Sequence, residues 1–362
     1  MKILIINVIQ YNINGIANII LSHIKSLKSV NEDFEIAVTS YGELDNFYVG
    51  NFSELGVGVI KVPSRQKLFL YSTELRKIIT NNNFDVIHIH GNSGTMALEA
   101  RIAKKYSNAR VIVHLHNSTC SHPKLFGPDS LLTKIMKKNA DCLVACSKLA
   151  GDWLYKDNYI VLSNAIDLER FAFDEQKRKL IREQYNIPED TFVIGHVGVF
   201  NEQKNHEFLL KAFAEYLKIN SNSRLLLVGD GVNKGRIVSL AKTLNIEEKV
   251  IFAGIQQDMP AYYSAFDIFV FPSLWEGLPI VTVEIQANGL PAICSLAVSS
   301  EIAMSERFIL KDLKDGVLSW ARQIEEIRAK YKDRDAPISE LCNAGYNISD
   351  QGNRLMQIYR KS

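Results

Sequence analysis

Short apolar runs alternate with amphipathic stretches along most of this chain, and the alternation predicts strands and helices in turn. Apolar runs at Lys2–Val8, Phe34–Ser40, Val57–Val62, Phe84–His90, Arg110–Leu115, Cys142–Ser147 and Ile160–Leu162 predict seven strands. Helices are expected from Gly15 to about Lys28, and over Ser72–Thr80, Thr95–Tyr106 and Leu131–Asn139. A charged helix and turn at 174–190 opens a second series. Its strands are expected at Phe192–Val199, Arg224–Val228, Val250–Phe252, Asp267–Phe271 and Leu290–Cys294. Phe208, Leu209, Ala212, Phe213 and Tyr216 form one apolar helical face, and Met259–Ala265 and Ile280–Ala287 follow helical periods. Residues 296–310 read as irregular, with helices at Val317–Lys330 and Ser349–Arg360. Strand, loop and helix in repeated succession describe doubly wound α/β domains.

The most informative stretch is FVFPSLWEGLPIVTVEIQANGLPAICS, residues 269–295. A buried strand ends at Phe271, Pro272 and Ser273 stop it, and a loop carries Glu276 and Gly277. The following helix holds Glu284 about one turn in and ends at Gly289, a residue suited to a C-terminal cap. In open parallel sheets ligands bind at the strands' carboxyl ends, and a helix start offers free N–H groups and a positive dipole end to phosphate. As a plain alternative, Glu276 is a surface loop carboxylate and Glu284 merely complements the helix dipole.

Length and composition narrow the picture. The 362 residues suffice for two domains, and 47% apolar with 23% charged residues describes a globular chain. A net charge of +2 is too small to point to nucleic acid. Residues 1–165 carry 18 Lys and Arg against 13 Asp and Glu (+5), and the remainder 24 against 27 (−3). The basic half suits an anionic membrane or acceptor, or is ordinary solvated lysine. The five cysteines form no C-x-x-C pair, which predicts reduced thiols in a cytosolic protein. The apolar start is broken by Asn7, Gln10, Tyr11, Asn12 and Asn14, unlike a signal peptide, and no run approaches the ~20 apolar residues of a membrane span.

Glu276-Gly277, Glu284 and Gly289-Leu290-Pro291 resemble the signature of the family-4 retaining glycosyltransferases. The resemblance extends over nearly the whole chain: Ser163-Asn164-Ala165-Ile166-Asp167 with Phe171 is similar to the family's hinge motif, with Ala165 where glycine is usual. It implies a GT-B fold, two doubly wound Rossmann-like domains facing across a cleft that closes on the donor. The boundaries expected are 1–165 for an acceptor-binding domain, 166–345 for a nucleotide-sugar donor domain, and 346–362 for a helix crossing back to the first.

The resemblance also implies roles. Glu284 would accept hydrogen bonds from the donor ribose, and Glu276 would bind sugar hydroxyls and stabilise positive charge near the ring. Lys204 and the backbone around Gly277, Leu278, Pro279 and Ile280 would hold the diphosphate. The family usually pairs that lysine with an arginine five residues earlier, where this chain has Val199; the donor site is then weaker, or another cation substitutes. Gly254 and Ile255 are candidates for the base, or Gly254 serves only the turn. His116, at a strand's carboxyl end, would contact the donor sugar, and His90, Asn92 and Asn117 the acceptor. The Gly15 loop is either where acceptor and donor phosphate meet or a plain turn; one glycine makes no G-x-G-x-x-G fingerprint. Residues 119–130 are expected to be a polar loop near the acceptor.

The expected reaction moves a sugar, with retained anomeric configuration and without metal, from a nucleotide sugar, a UDP-sugar in particular, to a saccharide or lipid-linked saccharide. HIHGNS, HLHNS and SNAID resemble enzymes that assemble capsular or exopolysaccharide units at the inner membrane face, so a cytoplasmic protein with peripheral membrane contact is expected. The alternatives are a sugar-nucleotide epimerase or hydrolase on the same fold and a non-catalytic partner protein. His88, His90 and His114 alternate with apolar residues along strands, a spacing that predicts packed histidines and no convergent zinc site.

Overall fold

Strands that pair in parallel must be joined by crossovers, and helices supply most of them here. The computed structural model describes residues 1–9, 11, 15–30, 33–117, 120, 122–276 and 278–360. The chain divides into two units, one of Met1–Ile166 with Ala344–Ser362 and one of Asp167–Asn343.

The first unit opens with β1 (Lys2–Asn7), α1 (Gly15–Ser29), β2 (Glu35–Ser40), α2 (Asn46–Glu54), β3 (Gly58–Lys61) and α3 (Leu68–Asn81). It continues through β4 (Val86–Gly91), α4 (Ala97–Tyr106), β5 (Arg110–Leu115), the single turn α5 (Pro123–Phe126), α6 (Leu131–Asn139), β6 (Cys142–Ala145), α7 (Lys148–Leu154) and β7 (Ile160–Val161). Among the described residues the strands form a parallel sheet in the order β3-β2-β1-β4-β5-β6-β7.

Side-chain alternation splits this sheet's two faces. Leu4, Ile6, Ile87, Ile89, Val111, Val113 and Leu115 enter one core, beside α3 and α4. Ile3, Ile5, Val86 and Ile112 enter the other, beneath α1. The C-terminal helix, Gln351–Arg360, closes that second face with Leu355, Met356, Ile358 and Tyr359.

The second unit contains α8 (Glu175–Gln184), β8 (Phe192–Val197), α9 (His206–Leu217), β9 (Ser223–Val228), α10 (Lys234–Thr243), β10 (Val250–Gly254) and α11 (Met259–Ala265). Then come β11 (Ile268–Phe271), α12 (Ile280–Ala287), β12 (Ala292–Ser295), β13 (Phe308–Lys311), α13 (Gly316–Lys330) and α14 (Ile338–Asn343); the C-terminal helix is α15. The sheet order is β10-β9-β8-β11-β12-β13, all parallel. The chain reverses direction across the sheet between β8 and β11, which is where such sheets open a crevice at their carboxyl ends.

The stretch 296–310 is not wholly irregular. Phe308 begins β13, which pairs with β12 from Ala292↔Phe308 to Ser295↔Lys311. Four residues with a lysine at the end give too short an apolar run to stand out from sequence. The 119–130 stretch likewise contains α5, started by Pro123 at a position where a helix tolerates the missing N–H. Gly289 ends α12 at φ +68°, and a Cβ there would lie 2.7 Å from the Asp335 nitrogen, so glycine is required on both counts. None of the five cysteines forms a disulfide, and no helix among the described residues is long and apolar enough to cross a membrane.

Candidate functional site

In the second unit the site is built where β8 and β11 end side by side. Beyond β8 the chain runs Gly198 to Asn205 before α9 starts. Asn205 adopts the left-handed conformation (φ 52°), a state asparagine enters more readily than most residues, and its side-chain amide donates to the Pro272 carbonyl at 3.1 Å. Leu274 N donates to Gln203 O at 2.8 Å, so the loop after β11 is laced to the loop after β8. The lacing brings Lys204 Nζ to 2.6 Å from Glu276 Oε1. Both side chains are well buried, 14% and 6% exposed, so their attraction is less screened than that of a surface ion pair, against the cost of desolvating both charges. Gln203 Nε2 adds contacts to Trp275 O at 2.8 Å and Glu276 Oε2 at 3.3 Å. The Lys204 ammonium also lies 4.5 Å from the centre of the Phe271 ring.

Glu284 sits on α12, one turn in, where Tyr263 from α11 donates a short hydrogen bond to its Oε2. Part of the side chain reaches solvent, but the carboxyl group lies deep among its neighbours. That burial raises its pKa to about 7, against the opposing effects of the Tyr263 hydroxyl and the nearby Arg170 charge. Tyr263 and Arg170 carry no motif; they emerge only from the hydrogen bond that α11 sends to α12 and from the packing of the short 3-10 turn Glu169–Phe171 against α12. Leu278 is buried, and Pro279 and Ile280 are partly so. Pro279, lacking an N–H, can give no backbone hydrogen bond of its own. Gly277 lies outside the described residues.

Gly254 ends β10 at φ +70° beside a register shift, and a Cβ there would meet nothing within 4 Å. Its backbone conformation alone therefore accounts for glycine. Ile255 is 59% exposed next to it, and Val199 53% exposed after β8.

In the first unit His90, Asn92, His116 and Asn117 gather at the carboxyl ends of β4 and β5, which are hydrogen-bonded neighbours. His90 Nδ1 lies 2.9 Å from His116 Nε2. Burial lowers the His116 pKa to about 3 and holds His90 well below the usual range, so both rings are neutral at ordinary pH. Gly15 is exposed at the first turn of α1, with space for a side chain and no positive φ. Most of the loop before it, residues 10 and 12–14, lies outside the described residues. The histidine spacing pointed to no convergent ligand set, but the structure brings ring nitrogens of His23, His90 and His114 within 4.8 Å of one another. The strand spacing could not show this because His23 comes from α1.

The comparisons with known proteins bear on both units. Residues 13–170 match the family described as Glycosyltransferase Family 4, and residues 177–332 match Glycosyl transferases group 1. The chain is 31% identical over 325 residues to EpsF of Bacillus subtilis (strain 168), named a glycosyltransferase, covering 85% of this chain and 84% of that one. It is 25% identical over 311 residues to the UDP-Gal:alpha-D-GlcNAc-diphosphoundecaprenol alpha-1,3-galactosyltransferase of Escherichia coli, covering 79% and 77%. Among solved structures, Anabaena HepE in complex with UDP and glucose superposes with a TM-score of 0.82 over the whole of both chains at 17% identity, a likeness of fold, here GT-B.

The Glu284 pKa has a consequence for stability. A carboxyl whose pKa is raised from 4.5 to about 7 on folding holds its proton more tightly in the folded state. The stability tied to it is therefore fully present below the unfolded value and is lost as pH rises to about 7. Glu284→Gln keeps the shape and cannot ionise. Its melting temperature should exceed the parent's at about pH 8 and match it at about pH 4.5; an offset equal at both values would contradict the assignment.

Proposed function

The chain belongs to the family-4 glycosyltransferases, and from that membership we propose that it transfers a sugar from a UDP-sugar, with retention of configuration, to a saccharide or lipid-linked saccharide during surface polysaccharide synthesis. The observation that carries the donor assignment is the buried Lys204–Glu276 pair at the carboxyl edge between β8 and β11. Support for UDP comes from HepE, solved with UDP and glucose, and from the Escherichia coli relative, whose name gives a UDP-galactose donor and a diphosphoundecaprenol-linked acceptor. EpsF shares the greater identity and carries no donor or acceptor in its name.

In this reading the departing diphosphate gathers negative charge, and Lys204 lies where a fixed positive group stabilises it. The N-terminal turn of α12 adds its unpaired N–H groups and its dipole. The positive charge comes from these groups, and the donor phosphates take no metal. Glu284 accepts the ribose hydroxyls, held in place by Tyr263. Glu276 serves the sugar: its Oε1 is tied to Lys204 and its Oε2 to Gln203, so its carboxylate is fixed before substrate arrives. Gly254 and Ile255 border the base. His116, neutral and hydrogen-bonded to His90, presents to the donor sugar, and His90, Asn92 and Asn117 serve the acceptor. Peripheral attachment to the inner membrane face follows from a lipid-linked acceptor.

The test is transfer from a panel of nucleotide sugars to an undecaprenyl-diphosphate-linked sugar, with the new linkage read by NMR. The expected result is a product from a UDP-sugar whose anomeric configuration equals the donor's, and a loss of about 10²–10³ in kcat for Glu276→Gln. An inverted linkage would overturn the retaining mechanism, and turnover of a non-uridine donor alone would overturn the donor assignment.

Val199 offers an independent check. It is exposed after β8 at the position where the family usually has arginine, so the larger side chain has room. A second charge-assisted contact to the diphosphate is worth roughly 1.5–3 kcal/mol, so Val199→Arg should tighten UDP binding about tenfold or more by calorimetry. Unchanged affinity would place Val199 away from the phosphates.

A further inference from the structure

The face of the first sheet that lies beneath α1 is hydrocarbon at one end and imidazole at the other. Along β4 the residues on this face are Val86, His88 and His90; along β5 and just past it they are Ile112, His114 and His116. α1 lays His23 over them. A parallel sheet covered on both faces is normally filled with aliphatic side chains. Five imidazoles in their place need partners, because a buried polar nitrogen left without one is destabilising.

The hydrogen bonds do not satisfy them. His88 Nδ1 meets the Tyr359 hydroxyl at 2.9 Å, His90 Nδ1 meets His116 Nε2 at 2.9 Å, and Gln351 Nε2 lies 3.2 Å from His23 Nε2. That leaves His23 Nδ1, His88 Nε2, His90 Nε2, His116 Nδ1 and both nitrogens of His114 buried with no hydrogen-bond partner among the described residues. His23 and His114 rings lie 5.5 Å apart and nearly parallel, His90 and His114 5.1 Å apart. His90 and His114 are directly paired in the β4–β5 register, so the backbone itself fixes two of the three positions.

We propose that His23, His90 and His114 bind one late first-row transition metal ion, of the Zn2+ class, inside the first unit beneath the His116 end of the sheet. Imidazole suits such ions, whereas hard cations prefer oxygen ligands, and three protein nitrogens leave a fourth position open. Burial lowers the pKa of all three rings, His23 to about 3, so they are in the neutral form that coordinates a metal. The present separations, up to 4.8 Å, exceed the ~3.3 Å that three nitrogens at about 2.0–2.1 Å from a tetrahedral ion would show, so the rings close in when the ion binds.

The site has a link to His116. With Nδ1 of His90 taken up by His116, the ion is bound through Nε2. His90 then carries its proton on Nδ1 and donates it to His116 Nε2. That directs the His116 proton to its own Nδ1, near the Asn164 side chain. The ion acts here as a positioning group: it fixes a tautomer and a ring orientation at the strand end. The inference does not depend on the donor assignment, because every residue in it belongs to the first unit.

The test uses full-length protein made without a histidine tag, stripped with a chelator, then titrated with Zn2+ and Co2+. One ion per chain is expected, with the visible absorption of four-coordinate Co2+, a melting temperature raised by Zn2+, and an X-ray absorption spectrum of the zinc form showing imidazole ligands at about 2.0–2.1 Å. His114→Phe and His23→Phe, each keeping a ring in the core, should lose the Co2+ bands while circular dichroism stays unchanged. His116→Ala should keep the bands and weaken the affinity about 10–100-fold, as loss of an outer hydrogen-bond partner does. The parent protein alone can overturn the proposal. No stoichiometric binding below about millimolar metal would do so, as would a zinc spectrum dominated by sulfur, or Co2+ bands that survive in both phenylalanine variants.

Discussion

The second unit is organised around a charge that must be held out of water. Lys204 is placed after β8 and Glu276 after β11, and the two meet at 2.6 Å with little exposure to solvent. Desolvating an ammonium or a carboxylate alone would cost several kcal/mol, so each residue makes the other tolerable. The geometry that allows it comes from the sheet. β8 and β11 are hydrogen-bonded neighbours although two strands intervene in sequence, so two distant loops emerge side by side. The αL turn at Asn205 and the backbone bond from Leu274 to Gln203 then fix the loops to one another. A carboxylate and an ammonium are thus held together at the strand edge as a preassembled polar frame.

The same economy of position recurs at Glu284 with a different outcome. Its partner is a neutral hydroxyl rather than a cation, so burial dominates and the pKa rises to about 7. Two glutamates eight positions apart thus occupy opposite electrostatic settings, one locked as an ion pair and one close to sharing its proton at neutral pH. Difference of environment, rather than of residue type, sets the two carboxyls apart.

Much of this was legible from sequence, and the reasons are specific. Strands such as Arg110–Leu115 and helices such as Leu131–Asn139, Met259–Ala265 and Ile280–Ala287 appear in the structure with the expected bounds, because long apolar periods and clear stop residues leave one solution. β13 and α2 were not anticipated: FILK is brief, and NFYVGNFSE buries only Tyr48 and Phe52. Lys204 and Glu276 were each singled out, but not as partners, because contact between loops 72 residues apart is written only in strand order. Tyr263, Arg170 and Gln203 have no motif at all. The histidine cluster shows the limit most clearly. Period-two spacing correctly placed His88, His90 and His114 in the core, while the helix residue that completes a ligand set, His23, lies on another element whose packing angle the sequence does not state.

Lys204 is proposed to meet the donor phosphates, and the most direct measurement is UDP affinity by thermal shift in the parent and in Lys204→Ala. With UDP at about 100 times its dissociation constant the parent should gain roughly 2.7 kcal/mol of stability, seen as a clear rise in melting temperature. This rise should disappear in the variant at the same UDP concentration, while the variant without nucleotide still melts in a single cooperative step. An undiminished UDP shift in Lys204→Ala would contradict it, and the Lys204–Glu276 pair would then be a structural brace with the phosphates bound elsewhere.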